Sequence, residues 1–85
     1  MSNNEPKTTY IDDKEPSLSE LQKLVGGYIE LVSLGDIHIV IDEEGKIKGK
    51  PVNEEATQLW MNHESFWGDV IVGDAVVLTG DARLS

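Results

Sequence analysis

The chain has 85 residues, no cysteine, 39% apolar residues and a formal net charge of −9. The lack of cysteine excludes disulfides, thiolate metal sites and cysteine nucleophiles, and a surface this acidic disfavours direct binding to the phosphate backbone of nucleic acids. The longest apolar stretches, at 37–41, 70–72 and 75–78, are far too short to cross a bilayer, so we expect no membrane association.

In chain order, the first predicted elements are a short strand and a helix. Lys7–Ile11 are rich in β-branched and aromatic residues, which favours a strand. Ser17 and Glu20 have the spacing of a capping box, in which each side chain bonds to the backbone N–H of the other residue. Leucine and valine then recur at helical spacing, until Gly26 and Gly27 end the helix.

Two further strands and a tight turn follow. Residues 28–34 and 37–41 predict a hairpin around the glycine and aspartate at 35–36, since glycine suits positive φ at the first central position of a two-residue turn. A turn of that length places Ser33 opposite His38. Both faces of the hairpin then carry apolar residues, which indicates either strands covered on both sides or an oligomer contact.

The second half of the chain predicts a turn, a helix and a last strand. Residues 42–46 predict a turn with Gly45 at positive φ, and a short strand is expected to begin at Ile47. Asn53 is a favoured N-cap for a helix that carries two glutamates in its first turn. Residues 75–79 predict the last strand.

Together these elements predict one α+β domain over residues 7–80, in which two helices pack on a small mixed or antiparallel sheet of four to five strands. The flanking residues, 1–6 and 81–85, are expected to be a disordered N-terminal tail and a C-terminal tail. A domain this small that lacks disulfides favours a cytoplasmic location.

The polar residues predict neither a catalytic site nor a metal site. The carboxylate pairs at 12–13, 43–44 and 54–55 fall in turns or in a first helical turn, where water solvates them, whereas acid–base catalysis needs a carboxyl group in an apolar pocket. His38 and His63 lie in different elements, without the closed set of partners that a zinc site needs. We therefore expect no enzyme activity, no metal and no cofactor.

Four aromatic residues have two interpretations. Trp60, Phe66 and Trp67 lie within eight residues of the chain, and Tyr28 begins a strand. Such residues either fill the core of a small domain or form an exposed binding hot spot. Trp60 follows the apolar face of the second helix and is expected to be buried. Trp67, just past that helix, is the better candidate for an interface.

The negative charge also has two interpretations. Residues 1–50 carry ten acids and six lysines, a net of −4, and residues 51–85 carry six acids and one arginine, a net of −5. The carboxylates either keep the surface soluble or present an acidic face to a basic partner, such as a nucleic-acid-binding protein.

Several motifs occur in order along most of the chain: Leu21–Glu30 (LQKLVGGYIE), Asp42–Lys46 (DEEGK), the glycine, proline and asparagine at 49, 51 and 53, and Ile71–Gly73 (IVG). In these motifs, over about residues 7–79, the chain resembles a family of small uncharacterised domains from bacteriophages and mobile elements. Two features depart from that family: Asp42 stands where asparagine is usual, and the chain stops soon after the last strand, where many members run on. The resemblance implies a phage or mobile-element origin and an accessory role inside a host cell.

We therefore expect a protein that binds and modulates a host or phage protein, basic in charge, through an acidic surface. The alternative is a domain that sequesters a small molecule or nucleotide near Gly26 and Gly27, between the subunits of a homodimer. Those two glycines and Gly45 are expected to be structural turns. The candidate binding residues are Tyr28, Glu30, Asn53, Glu54 and Trp67.

Overall fold

The computed structural model describes residues 5–63 and 68–84. The elements of these residues are, in chain order, β1 (Thr8–Ile11), α1 (Leu18–Val25), β2 (Ile29–Leu34), β3 (Ile37–Asp42), α2 (Glu54–Met61), β4 (Ala75–Leu78) and a short 3-10 helix (Gly80–Ala82). The fold is α+β, as the sequence predicts. Within the described residues, no helix has the length and apolar character needed to cross a membrane.

The four strands form one mixed sheet in the order β1-β4-β3-β2. β1 runs parallel to β4, whereas β4 and β2 are both antiparallel to β3. The predicted hairpin register is confirmed, since Ser33 lies opposite His38. Gly35 has a φ of 75° and Asp36 does not have positive φ, which is the predicted turn geometry. The strand order leaves β1 and β2 at the two edges of the sheet.

Both faces of the sheet are covered, which accounts for the apolar residues on both faces of the hairpin. The buried cluster on the α1 face contains Leu21, Val25, Val40, Val76, Leu78 and Ala82. The buried cluster on the α2 face contains Leu34, Ile39, Ala56, Trp60, Ile71, Ala75 and Val77. Because successive strand residues point to opposite faces, a sheet this apolar needs a helix on each side. Trp60 is buried, as predicted.

The first helix begins and ends as its sequence predicts. Ser17 Oγ accepts from the backbone N–H of Glu20 at 3.1 Å, and Glu20 Oε1 accepts from the backbone N–H of Ser17 at 2.9 Å, which is the capping box. Gly26 has a φ of 82°, the left-handed conformation that ends a helix. The backbone N–H groups of Gly26 and Gly27 both donate to the carbonyl of Gln22, at 2.8 and 3.2 Å.

The second helix begins at a buried asparagine that joins three segments. Asn53 Oδ1 accepts from the backbone N–H of Ala56 at 2.9 Å, and Asn53 Nδ2 donates to the carbonyl of Gly73 and to Thr8 Oγ1, both at 3.0 Å. The backbone N–H of Asn53 donates to the carbonyl of Ile71 at 2.7 Å. This side chain therefore caps α2 and also fixes β1 and the segment before β4.

Two predictions about residues 45–47 are wrong. No strand begins at Ile47 in the part of the chain that the structure describes; residues 43–49 form turns, and the Ile47 side chain is 86% exposed. Gly45 does not have positive φ. It is buried, and a Cβ atom there would lie 2.9 Å from Cγ2 of Val72, so close packing requires the glycine.

The packed part of the chain extends beyond β4, into the expected C-terminal tail. Ala82 is fully buried in the cluster on the α1 face. The backbone N–H of Leu84 donates to Nδ1 of His38 at 3.1 Å. Ala82 and Leu84 therefore pack in the cluster on the α1 face of the sheet.

Replacing Asn53 with alanine should destabilise the fold by about 2–3 kcal/mol. About 1 kcal/mol of this comes from the lost helix cap, and the rest comes from leaving the carbonyl of Gly73 without its buried donor. Urea unfolding followed by circular dichroism measures the change. Gln58→Ala, at an exposed position of the same helix, is the control and should change the free energy of unfolding by less than about 0.5 kcal/mol. Equal effects of the two substitutions would contradict this role of Asn53.

Candidate functional site

A buried carboxylate lies at the end of β3. The side chain of Asp42 has no exposed surface, and its Oδ2 lies 2.8 Å from Nζ of Lys48 and 2.6 Å from Nζ of Lys50. Its Oδ1 accepts from the backbone N–H of Glu44 at 2.9 Å. All three partners come from the chain that follows β3, so this one carboxylate closes residues 42–50 into a loop, which we call the lysine loop.

The same two lysines reach the C-terminal end of α1. Nζ of Lys50 donates to the carbonyl of Val25 at 2.8 Å, and Nζ of Lys48 donates to the carbonyl of Gly26 at 3.4 Å. The last carbonyls of a helix lack partners within the helix and carry partial negative charge, so nearby ammonium groups stabilise them. The lysine loop and α1 are therefore held together by two cations that also neutralise Asp42.

The close approach of these groups is favoured by the glycine at position 27. A Cβ atom on Gly27 would lie 2.7 Å from Nζ of Lys48 and 3.0 Å from Oδ1 of Asp42. A side chain there would have to displace the ion pair. Gly26 thus serves the fold through its backbone conformation, and Gly27 serves it by leaving room for the ion pair.

The ion pairs keep Asp42 charged. Burial on its own would raise the pKa of this carboxyl group, but the hydrogen bonds from Lys48 and Lys50, together with that from the Glu44 N–H, hold the pKa of Asp42 well below its usual range. A carboxylate with a depressed pKa is a poor general base at neutral pH. The arrangement therefore supports the fold, and it makes Asp42 a poor proton acceptor at neutral pH.

An open cleft lies beside the lysine loop, between β2 and the chain that leads into β4. Its volume is about 430 Å³. Its apolar lining consists of Leu31, Val32, Leu34, Ile41, Ile47, Trp60, Val70 and Val72. Of these, Leu31, Ile47 and Val70 are 42%, 86% and 40% exposed. The cleft therefore presents apolar side chains to solvent.

The polar residues that line the surface of this cleft are mainly acidic. Glu30, Glu43 and Asp69 line it together with Lys46. Lys46 is already paired, with its Nζ 2.5 Å from Oδ1 of Asp69, and its hydrogen bond lowers the pKa of Asp69. Glu30 and Glu43 are exposed, and no ion pair within residues 5–63 and 68–84 neutralises them. The rim of the cleft is therefore negative.

The residues predicted to form a binding site do not come together. Glu30 lines the cleft, whereas Tyr28, which is 68% exposed, lines a separate and smaller recess beside Lys48. Asn53 is buried and its side chain is occupied by the hydrogen bonds that cap α2. Glu54 lines another recess at the start of α2, which Asn53 also borders. Trp67 lies outside the described residues.

The lysines that build the loop do not stand out as site residues in the sequence. A signal for them exists: three of the six lysines among residues 1–50 occupy alternate positions at 46, 48 and 50, directly after Asp42–Glu44. Such a concentration of opposite charges in a short segment indicates local ion pairs. The apolar side of the cleft has no comparable signal, because it combines residues from five separate parts of the chain.

The two histidines do not form part of this site. His38 Nδ1 accepts from the backbone N–H of Leu84, so the neutral ring carries its proton on Nε2. Across the described parts of the chain, no group of three or more histidine, aspartate or glutamate side chains is placed to hold a metal ion.

Fold and site together define a small α+β domain with a structural ion-pair cluster and an acidic-rimmed apolar cleft. Residues 2–83 match the model of a protein family described as Domain of unknown function (DUF3846), and the chain belongs to that family. A search of curated proteins and a search of solved structures each gave no match. The predicted membership of a family of uncharacterised domains is thus confirmed, whereas the phage or mobile-element origin stays a prediction.

Asp42→Asn should lower the free energy of unfolding at neutral pH by about 1–3 kcal/mol, because two ammonium groups lose their carboxylate. The pKa of Asp42 is depressed in the folded state. Its contribution to stability is therefore complete above the unfolded-state pKa of about 3.9 and is lost as the pH falls towards the folded-state pKa. The stability gap between wild type and variant should be constant from about pH 7 to about pH 5 and shrink steadily below about pH 4.

Urea unfolding of both proteins at a series of pH values measures this gap. Other carboxylates titrate in both proteins, so the difference isolates Asp42. Asp36→Asn, at an exposed position in the hairpin turn, is the control and should show a small gap at every pH. A gap for Asp42→Asn that stayed unchanged down to about pH 2 would contradict the assigned role of the ion pairs.

Proposed function

We propose that the protein is a non-enzymatic binding module that takes up a basic segment of another protein in the cleft beside β2. The observation that carries this proposal is the combination of an apolar lining with an acidic rim in one open cleft. Buried apolar surface supplies most of the favourable free energy of protein association, and complementary charge at the rim steers and selects the partner.

The apolar lining supports protein binding because its exposed members are grouped. A single exposed aliphatic side chain is ordinary on a protein surface. Ile47 and Val70 come from two separate segments and line the same cleft, and the exposed Leu31 borders it from the other face of β2. Grouped apolar surface that is rimmed by polar residues is typical of an interaction site.

The charge supports a basic partner. The whole chain carries −9, and Glu30 and Glu43 add local negative charge at the cleft. At physiological ionic strength, charges are screened over about 8 Å. The two glutamates at the rim therefore act directly on a bound lysine or arginine, and the net charge mainly raises the rate of encounter.

The resemblance to domains from bacteriophages and mobile elements indicates which class of protein the partner belongs to. A protein of the host cell is the natural target for an accessory protein of that origin, and the cytoplasm is the compartment in which they would meet. This part of the proposal depends on the resemblance and is independent of the cleft.

The alternative, a domain that sequesters a small molecule or nucleotide near Gly26 and Gly27, has less support. An anion there would need free backbone N–H groups, but both of these N–H groups donate to the carbonyl of Gln22. The cleft has the volume of a small-molecule site, which is about 300–1,000 Å³. Its acidic rim would select a cation, however, and would repel a nucleotide.

A charge-reversal pull-down tests the proposed function. The double variant Glu30→Lys/Glu43→Lys changes only exposed side chains at the cleft. The matched control, Asp12→Lys/Asp81→Lys, makes the same change in net charge at exposed positions outside it. From a bacterial lysate at low salt, the wild type and the control should retain the same protein, and the cleft variant should retain at least tenfold less of it.

Three outcomes would contradict the proposal. The first is the recovery of no specific protein by the wild type. The second is equal loss of the captured protein from both variants, which would show that net charge alone governs retention. The third is capture that the cleft variant leaves intact. Chemical denaturation of each variant confirms that a loss of binding does not reflect a loss of fold.

A further inference from the structure

We propose that the partner segment binds as an added β-strand along the open edge of β2, with its alternate side chains in the cleft. This inference rests on the proposed function and gives it a mode of recognition. The ligand is an extended peptide that has apolar residues at every second position and lysine or arginine among the others. Main-chain hydrogen bonds supply affinity in such complexes, and pockets for alternate side chains supply specificity.

The backbone of β2 has groups free for this purpose. The carbonyl of Tyr28 accepts from the N–H of Glu43 at 2.9 Å, in register with the β2–β3 ladder. In an antiparallel ladder, every second residue exchanges its hydrogen bonds with the opposite strand, and the residues between point away. The even-numbered residues of β2 therefore face β3. The N–H and C=O groups that point away from the sheet are those of Ile29, Leu31 and Ser33.

The two edges of the sheet differ in protection. Natural sheets blunt their edges with short strands, proline, charged residues or bulges. β1 has four residues, follows closely after Pro6, and is tied to α2 by the hydrogen bond from the hydroxyl of Tyr10 to Glu55. β2 has six residues paired with β3 without a bulge, and one charged residue, Glu30. None of the strands that the structure describes pairs with the outer side of β2.

The cleft is continuous with this edge. All five residues from Glu30 to Leu34 line it, so it opens along the strand itself. Successive side chains of an added strand alternate between the two faces of the sheet. The basic set would lie in the cleft, with its aliphatic stems over Val32 and its charged ends at Glu30 and Glu43. The apolar set would lie beside the exposed Leu31 on the opposite face.

Charge decides between a foreign peptide and a second copy of the chain. Edge-to-edge pairing of two β2 strands would bring the exposed Glu30 and Glu43 of one copy towards those of the other. A peptide with lysine or arginine would instead meet Glu30 and Glu43 at the rim of the cleft. Like charges at an interface select against a partner and opposite charges favour it, so the occupant is a basic peptide of another protein.

A designed peptide tests this mode of binding. The probe is the blocked hexapeptide Val-Lys-Val-Lys-Val-Lys, titrated into the isotopically labelled protein and followed by NMR. Saturable shifts should appear at the backbone amides of Ile29, Leu31 and Ser33. The matched peptide Val-Glu-Val-Glu-Val-Glu should bind at least tenfold more weakly.

Two N-methylated forms of the probe distinguish strand addition from side-chain contact alone. One form carries the methyl groups on its valine nitrogens and the other on its lysine nitrogens. Because only one of these two sets can face β2 in an added strand, one form should bind at least tenfold more weakly than the other. Ser33→Pro removes an outward N–H that the sheet does not use, and it should also weaken the parent peptide at least tenfold.

Equal binding of the two methylated forms, or shifts confined to residues outside the cleft and β2, would overturn strand addition. Concentration-dependent dimerisation that Ser33→Pro abolishes would make a second copy the occupant and would also overturn it. If the Glu30→Lys/Glu43→Lys variant loses its captured protein while Ser33→Pro keeps it, the proposed function stands and strand addition fails. If neither variant affects capture, both fail.

Discussion

The carboxylate of Asp42 is the constraint on which the arrangement of α1, the sheet and the lysine loop depends. It is buried at the end of β3, where its charge is tolerable only because Lys48 and Lys50 both reach it. Each lysine also donates to a carbonyl at the end of α1. The same ammonium groups thus neutralise a buried anion and cap a helix. A buried charge that lost its partners would be strongly destabilising, so the loop cannot leave the helix without a large loss of stability.

This dependence gives two of the most distinctive motifs of the sequence a structural role. The glycine pair after α1 and the segment from Asp42 to Lys50 are distant in sequence but meet at one joint. Asn53 and Gly73 meet at a second joint nearby, where the amide of Asn53 holds the carbonyl of Gly73. Conserving these contacts preserves a backbone geometry. The cleft that this geometry displays is lined by residues of these motifs, such as Glu43 and Lys46, together with residues from β2, α2 and the segment before β4.

The elements whose cause is local are those that the sequence predicts well. The capping box of α1 and the glycine turn of the hairpin each depend on residues a few positions apart, and both are found as predicted. Gly45 is the opposite case, because a glycine is needed there to leave room for Val72, 27 positions further along the chain. The sequence alone therefore predicts the turn but assigns Gly45 the wrong backbone conformation. Ile47 is similar, because the sequence predicts a strand there, whereas the bonds from Lys48 and Lys50 to Asp42 hold the segment in turns. The candidate site was least predictable, since its lining converges only after folding.

The residue at position 27 limits which side chain can stand at position 48, because the two compete for the same space. The space that a methyl group would need at position 27 is occupied by the ammonium group of Lys48. A member of the family with alanine at 27 would therefore need a shorter or redirected side chain at 48, and the carboxylate at 42 would then keep one cation in place of two. We therefore expect substitutions at positions 27, 42 and 48 to occur together across homologues, although these positions are distant in the sequence.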